Sequence, residues 1–292
     1  MRQYLTNFFE RFAYDPADAA CLLDAYDRVA ASAPAAELWA QALALYDENI
    51  GCDFQRVIAL AGEAARTVEL HTYTTELLIF ICMSRRLETE YAARGVDNAI
   101  FQNSMLDLKY KLDECKAVKG IVGSFVASWF DGFFNMTRFA LGRLQFELVD
   151  FGHHYEKDGV VLTPESRVIN VHIPRTGTPL DAAACDDAFA CAKAFFAAQT
   201  GGVGAFVCHS WLLFPAHEQM LSHTSNVYRF MKRFDIVTSG TSPAREDLWR
   251  LFDTDEKEWD KLPADTSLRR AYVEHLKQGG AVGWGHGVFI MK

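Results

Sequence analysis

Apolar positions recur every three to four residues through the first 118 or so residues, and much of the remaining chain alternates residue by residue. The first pattern predicts helix after helix. DPADAACLLDAYDRVAAS starts with Asp15 before Pro16, an N-cap followed by a first-turn proline. Ser32 or Pro34 opens a second helix that Gly51 ends, and a third runs from about Asp53 to Arg66. Leu70, Tyr73, Thr74, Leu77 and Ile81 mark one face of a buried helix at period 3.6. An amphipathic helix follows from Asp97 to about Ala117, with Ile100, Met105, Leu108 and Leu112 inside.

From about residue 137 the period shortens to two. RLQFELVDF puts Leu144, Phe146 and Leu148 on one side and Gln145, Glu147 and Val149 on the other. GVVLTPE and RVINVHIP are further strands, the latter ended by Pro174. A helix from Asp181 to about Ala197, the strand AFVCHSWLLF, a capped helix NVYRFMKRF and the strand FDIVTS come next. After further helices, AVGWGHGVFI closes the chain. The expected fold class is α+β / α/β: an all-helical N-terminal domain, 1–118, then a mixed sheet flanked by helices, 119–292. The change of pattern spans residues 118–136.

Composition narrows the function. The 292 residues carry 29 Lys and Arg against 38 Asp and Glu, a net charge of −9, which argues against coating nucleic acid. Residues 1–120 hold 12 of the basic and 18 of the acidic side chains, so most of the excess lies in the helical half. The longest unbroken apolar stretch, Leu77 to Met83, is too short to span a bilayer, and the start lacks a signal-peptide h-region. Seven cysteines, an odd number without a CxxC pair, sit in apolar segments. They predict reduced core thiols in a cytoplasmic protein, with no metal and no membrane or nucleic-acid partner.

Candidate chemistry gathers at strand ends. After RVINVHIP, the loop Arg175-Thr176-Gly177-Thr178 turns into a helix near Pro179. Helix-terminal N–H groups, a glycine permitting close approach and an arginine suit a phosphate group; the alternative is an ordinary loop with Arg175 solvated. Val168, Asn170 and His172 share one face of their strand. In AFVCHSWLLF, Cys208 and Ser210 face together, opposite His209 and Trp211. Were the two strands neighbours, His172 would reach Cys208 or Ser210 and serve as base for an amine or hydroxyl acceptor. The alternative is a core histidine on a backbone carbonyl with Cys208 as filler. Glu147 is either a solvated edge residue or a group that deprotonates an amine through water. Gly283, Gly285 and Gly287, alternating around Trp284 and His286, predict a bulged strand or one approached closely by backbone or ligand. Gln199-Thr-Gly-Gly-Val-Gly-Ala205 fits a CoA-loop pattern, yet it follows a helix and precedes a strand, so it reads as a connection.

The order of RVINVHIP, RTGTPLD, AFVCHSWLLF, NVYRFMKRF, FDIV and AVGWGHGVFI resembles the GNAT N-acetyltransferase fold. The whole chain resembles a family of bacterial acyltransferase-domain proteins that join a helical N-terminal domain to a GNAT-like C-terminal domain. That resemblance rests on Leu141-Gly-Arg-Leu-Gln-Phe-Glu147, Val171-His-Ile-Pro174, Pro179-Leu-Asp181, Ser210-Trp-Leu-Leu213, Ser225-Asn226, Arg233-Phe234 and Leu262 to Arg270. It implies transfer of an acyl group from CoA and names no acceptor. Joined to the residues above, it gives the reading of direct attack on the thioester of acetyl-CoA or a longer acyl-CoA by a small-molecule amine or hydroxyl. Pyrophosphate would lie on Arg175 to Thr178, pantetheine beside Asn226, and His172 or Glu147 would take the proton. Met231 stands where the fold's tyrosine acid usually is, and Gly177 is a single glycine where the usual loop has more. These departures motivate a second reading, a GNAT-like binding module without catalysis. A hydrolase using Cys208 or Ser210 with His172 is a third, and no G-x-S-x-G elbow supports it.

Overall fold

The computed structural model describes the 292-residue chain apart from Asp158, Glu246 and Lys292. Two compact units divide between Phe139 and Ala140.

The first unit is built from helices α1 (Arg2–Arg11), α2 (Pro16–Ala31), α3 (Ala33–Glu48), α4 (Phe54–Thr67), α5 (Thr72–Ala93) and α6 (Asn98–Lys119). Their starts follow local chemistry. The Asp15, Asp53 and Asp97 side chains accept from Ala17, Arg56 and Ala99 N–H, and Pro16 and Pro34 occupy first-turn positions. Gly120, at φ 69°, closes α6 in the left-handed region. α5 is the central helix, buried without interruption from Leu77 to Met83.

The helical unit extends past residue 118. A 3-10 turn, Ala127–Phe130, and the short helix α7 (Asp131–Phe134) insert Phe130, Phe133 and Phe134 fully into the helical core. Phe80 meets Phe130 and Phe134 at centroid distances of 5.2 and 5.7 Å, and Tyr46 donates to the Phe134 carbonyl at 2.8 Å. Burying three phenyl rings outweighs the loss of helical period, so the boundary lies about 20 residues beyond where the periodicity ends.

β1 (Arg138–Leu141) straddles that division, and the second unit goes on with β2 (Leu144–Asp150), β3 (Tyr155–Lys157), β4 (Val160–Leu162) and β5 (Arg167–His172). Helices α8 (Ala182–Phe195) and α9 (Ala197–Thr200), strand β6 (Gly204–Ser210), and helices α10 (His217–Met220) and α11 (Asn226–Met231) follow. Strand β7 (Asp235–Thr241), helices α12 (Leu248–Phe252) and α13 (Ser267–Lys277), and strand β8 (Gly283–Met291) complete it. Six strands form one mixed sheet in the order β1-β2-β5-β6-β8-β7, and β3 and β4 make a separate hairpin.

The sheet is dry on both faces over its lower half. On one face Phe151, Tyr155 and Leu162 cover Val168, Ala205, Val207 and Val288. On the other, Phe189 of α8 packs against Phe146, Phe206 and Phe289, with Phe230 and Phe234 alongside. The strands therefore hold their alternation to the ends of β5 and β6, where polar residues replace apolar ones.

Candidate active site

β2 and β5 pair antiparallel with Glu147 opposite Asn170 and Gln145 opposite His172. All four side chains share one face of the sheet. Across the diagonal, His172 Nε2 stands 2.7 Å from Glu147 Oε1, and Asn170 Nδ2 is 3.2 Å from both. One carboxylate oxygen can accept from the imidazole N–H and the amide N–H together. That arrangement assigns the ring proton to Nε2 and the basic lone pair to Nδ1. The side chains of His172 and Glu147 are 20% and 16% exposed, sheltered yet within reach of a ligand.

β5 and β6 are parallel neighbours, but their ladder holds only Ile169–Phe206 and Asn170–Val207. β6 pairs with β8 through seven positions, from Gly204–Met291 to Ser210–Gly285. The two parallel strands thus part company beyond Asn170, beside His172, and open main-chain groups inside the sheet instead of at its edge. The register places His209 on the face of His172, while Cys208 and Ser210 lie on the opposite face. Neighbouring strands do not bring His172 to Cys208 or Ser210. Cys208 is wholly buried, which pushes its thiol up to about 12, and the Ser210 hydroxyl accepts from Leu212 N–H. Neither is set up as a nucleophile.

Beyond β6 the same face continues through aromatic and imidazole rings. His209 stacks on Trp284 at 4.4 Å, and His286 lies 5.1 Å from His153 and 6.0 Å from His209. Burial, then the neighbouring His153 and His209, pull His286 down to about 4, so it is neutral at pH 7. Among the described residues no group of His, Cys, Asp or Glu is placed to hold a metal ion.

The loop after β5 is arranged by contacts that no sequence pattern announces. Gly177 takes φ 74°, and the Thr176 and Thr178 hydroxyls meet at 2.6 Å. The Asp181 side chain caps α8 by accepting from Ala184 N–H at 3.0 Å. Arg143, in the β1–β2 turn, donates to the carbonyls of Pro174, Thr178 and Pro179. Arg175 is half exposed but not free: its fork sits on Asp253, which also takes Arg269 Nη2 at 2.6 Å. Asp253 is the hub of that ion cluster. Asn226 opens α11, whose N-cap Ser225 accepts from Tyr228 N–H. Met231 ends the same helix, buried, with no proton to give.

Residues 139–289 match the family described as the GNAT-like C-terminal domain, and residues 3–136 the N-acyltransferase N-terminal domain. Among curated proteins no sequence matches. Solved structures do. An acyltransferase in complex with decanoyl-CoA and teicoplanin superposes with a TM-score of 0.75 at 21% identity, over 98% of this chain and 87% of its own. An acyltransferase mutant in complex with octanoyl-CoA gives 0.76 at 20% identity, over 99% and 88%. An acyltransferase with CoA and 10C-teicoplanin gives 0.75 at 21%, over 98% and 87%. These likenesses establish a shared fold along nearly the whole chain.

Proposed function

The chain belongs to the family that joins an N-acyltransferase N-terminal domain to a GNAT-like C-terminal domain, and from that membership we propose that it moves an acyl group from acyl-CoA to a small-molecule amine or hydroxyl. The observation that carries this reading is the opening of the β5–β6 ladder beyond Asn170–Val207, directly beside the His172–Glu147 pair. Strands that separate there leave peptide groups to hydrogen-bond the amides of a pantetheine arm. The loop from Arg175 to Thr178 and the N-terminus of α8, at the end of the same strand, face the anionic end of the molecule.

The chemistry assigned to the chain's own residues is short. His172 takes the proton from the acceptor nitrogen or oxygen through Nδ1, while Glu147 holds the ring and stabilises the imidazolium. The acceptor attacks the thioester carbon, the new C–N or C–O bond forms, the C–S bond breaks, and CoA leaves with its sulfur. No covalent enzyme intermediate is needed, consistent with Cys208 and Ser210 lying on the far face. Octanoyl- and decanoyl-CoA in the solved relatives favour a medium-chain donor here, and teicoplanin beside decanoyl-CoA favours a small-molecule acceptor over a protein.

Calorimetry and thermal shift with acetyl-, octanoyl- and decanoyl-CoA test the reading. A ligand at about a hundred times its Kd adds roughly 2.7 kcal/mol of stability. Absence of binding by every ester at millimolar concentration would overturn it. Binding without release of CoA thiol across an amine and alcohol panel would instead favour the non-catalytic module, which buried Met231 motivates.

A further inference from the structure

Arg143, at the entry to β2, reaches the loop that leaves the neighbouring strand β5. The turn Leu141-Gly142-Arg143 depends on Gly142 at φ 70°, a left-handed conformation that costs glycine little. It directs the guanidinium over β5's exit. There Nη1 donates to the Pro174 carbonyl at 3.0 Å, Nη2 to Thr178 at 3.2 Å and Nε to Pro179 at 3.2 Å. One planar fork holds three carbonyls at both ends of the loop, which a lysine ammonium has no geometry to do.

The consequence lies on the other side of the loop. All its peptides are trans, so each C=O and the N–H of the next residue point in opposite directions. With the Pro174 and Pro179 carbonyls turned onto Arg143, the N–H groups of Arg175 and Leu180 point away from it. Neither takes an acceptor from the chain among the described residues. The loop thus shows donors on one side because its acceptors are occupied on the other, the condition an anion-binding turn requires.

We propose that Arg143 is a positioning residue for CoA: it fixes the donor-outward conformation of residues 174–180 and thereby sets affinity for the pyrophosphate. This rests on the acyl-CoA reading above and adds to it a residue outside the loop. It also gives the segment Leu141 to Glu147 two tasks, Arg143 shaping the cofactor loop and Glu147 holding His172.

The test compares acyl-CoA with the same acyl group on pantetheine, which lacks the pyrophosphate. In Arg143→Met the ratio of kcat/KM for acyl-CoA over acyl-pantetheine is expected to fall about tenfold or more, carried by KM. In Arg143→Lys it stays down, because charge without the fork does not hold three carbonyls. An unchanged ratio in both variants, or full recovery in the lysine variant, would overturn the proposal; a purely structural role would lower both donors equally. Should Arg143→Met not fold, Arg143→Lys decides alone through calorimetry with 3′-phospho-ADP. Its Kd is expected to rise about tenfold, and an unchanged Kd would overturn the proposal. Failure of the underlying reading is distinct: the wild-type protein would then use or bind neither donor.

Discussion

His172 and Glu147 meet across the diagonal of an antiparallel pair, Nε2 to Oε1 at 2.7 Å, three strands into a six-stranded sheet. A cross-strand diagonal of this kind exists only in one register; a slip by one residue would send Glu147 to the opposite face. The pair is therefore as rigid as the sheet.

Replacing His172 by Ala is expected to lower kcat by about 10²–10⁴-fold with little change in acyl-CoA affinity. Glu147→Gln keeps the imidazole but removes the charge that stabilises its protonated form, so a smaller loss, on the order of tenfold, is expected. Thiol-release assays at saturating acyl-CoA measure both. Equal activity in the His172 variant would remove it from the reaction.

Asp253 holds the Arg175 fork and Arg269 together. A carboxylate so close to the loop repels a diphosphate and keeps Arg175 turned toward itself. Asp253→Asn is expected to tighten CoA binding a few-fold and Arg175→Ala to weaken it, with a shallower salt dependence in the latter. Isothermal titration at two ionic strengths checks both; weaker binding in Asp253→Asn would make Asp253 the group that orients Arg175 instead of one that competes for it.

Much of this site was legible in strand parity. RVINVHIP alternates cleanly, so Asn170 and His172 on one face followed from the residues alone, as did the strand-loop-helix exit at Arg175 to Asp181. What parity cannot supply is register between strands far apart in the chain. Whether Glu147 faces His172, or His172 faces Cys208 or His209, depends on pairings set by tertiary packing. Arg143 was invisible for a related reason. A turn arginine after glycine looks like any solvated side chain until the loop 31 to 36 residues later arrives beneath it. The boundary near residue 139 was obscured because Phe130, Phe133 and Phe134 sit in short turns with no helical period to report their burial.

The glycines of β8 were legible as a close approach, and the structure says by what. A Cβ on Gly285 would lie 2.2 Å from the Leu213 carbonyl oxygen, and one on Gly283 2.2 Å from the Phe214 ring and 2.4 Å from the Gly240 oxygen. The register shift is in β7, between Ile236 and Thr238. Gly285→Ala must displace backbone, not a flexible side-chain end, so a loss of about 3 kcal/mol or more is expected. Gly51→Ala, whose Cβ would meet only the Asn49 side chain at 3.5 Å, is expected to cost less than about 1 kcal/mol. Urea denaturation followed by tryptophan fluorescence compares them. A wild-type-like midpoint for Gly285→Ala would contradict the packing of Leu213 on β8.

His217 sets a pH limit on stability. It is fully buried, with Nδ1 3.1 Å from the Leu212 carbonyl and Nε2 2.5 Å from the Tyr272 hydroxyl. A carbonyl only accepts, so Nδ1 carries the proton and Nε2 accepts from Tyr272: the ring is neutral. Burial pulls its pKa down from 6.5 to about 4. The unfolded chain therefore binds a proton between those values that the folded one refuses, and stability falls as pH drops through that window. The slope approaches about 1.4 kcal/mol per pH unit for this group, fully regained above 6.5. Denaturation midpoints at about pH 7.5 and about pH 5 are expected to separate clearly in the wild type and to lie closer together in His217→Phe. That variant starts less stable by about 1–3 kcal/mol, because it leaves the buried Tyr272 hydroxyl and Leu212 carbonyl without their partner. His286, also depressed to about 4, leaves a slope of the same sign in that variant, and Glu76, raised by burial to about 7, one of the opposite sign. A wild-type slope retained in full by His217→Phe would assign the effect to His286 or to the carboxylates instead.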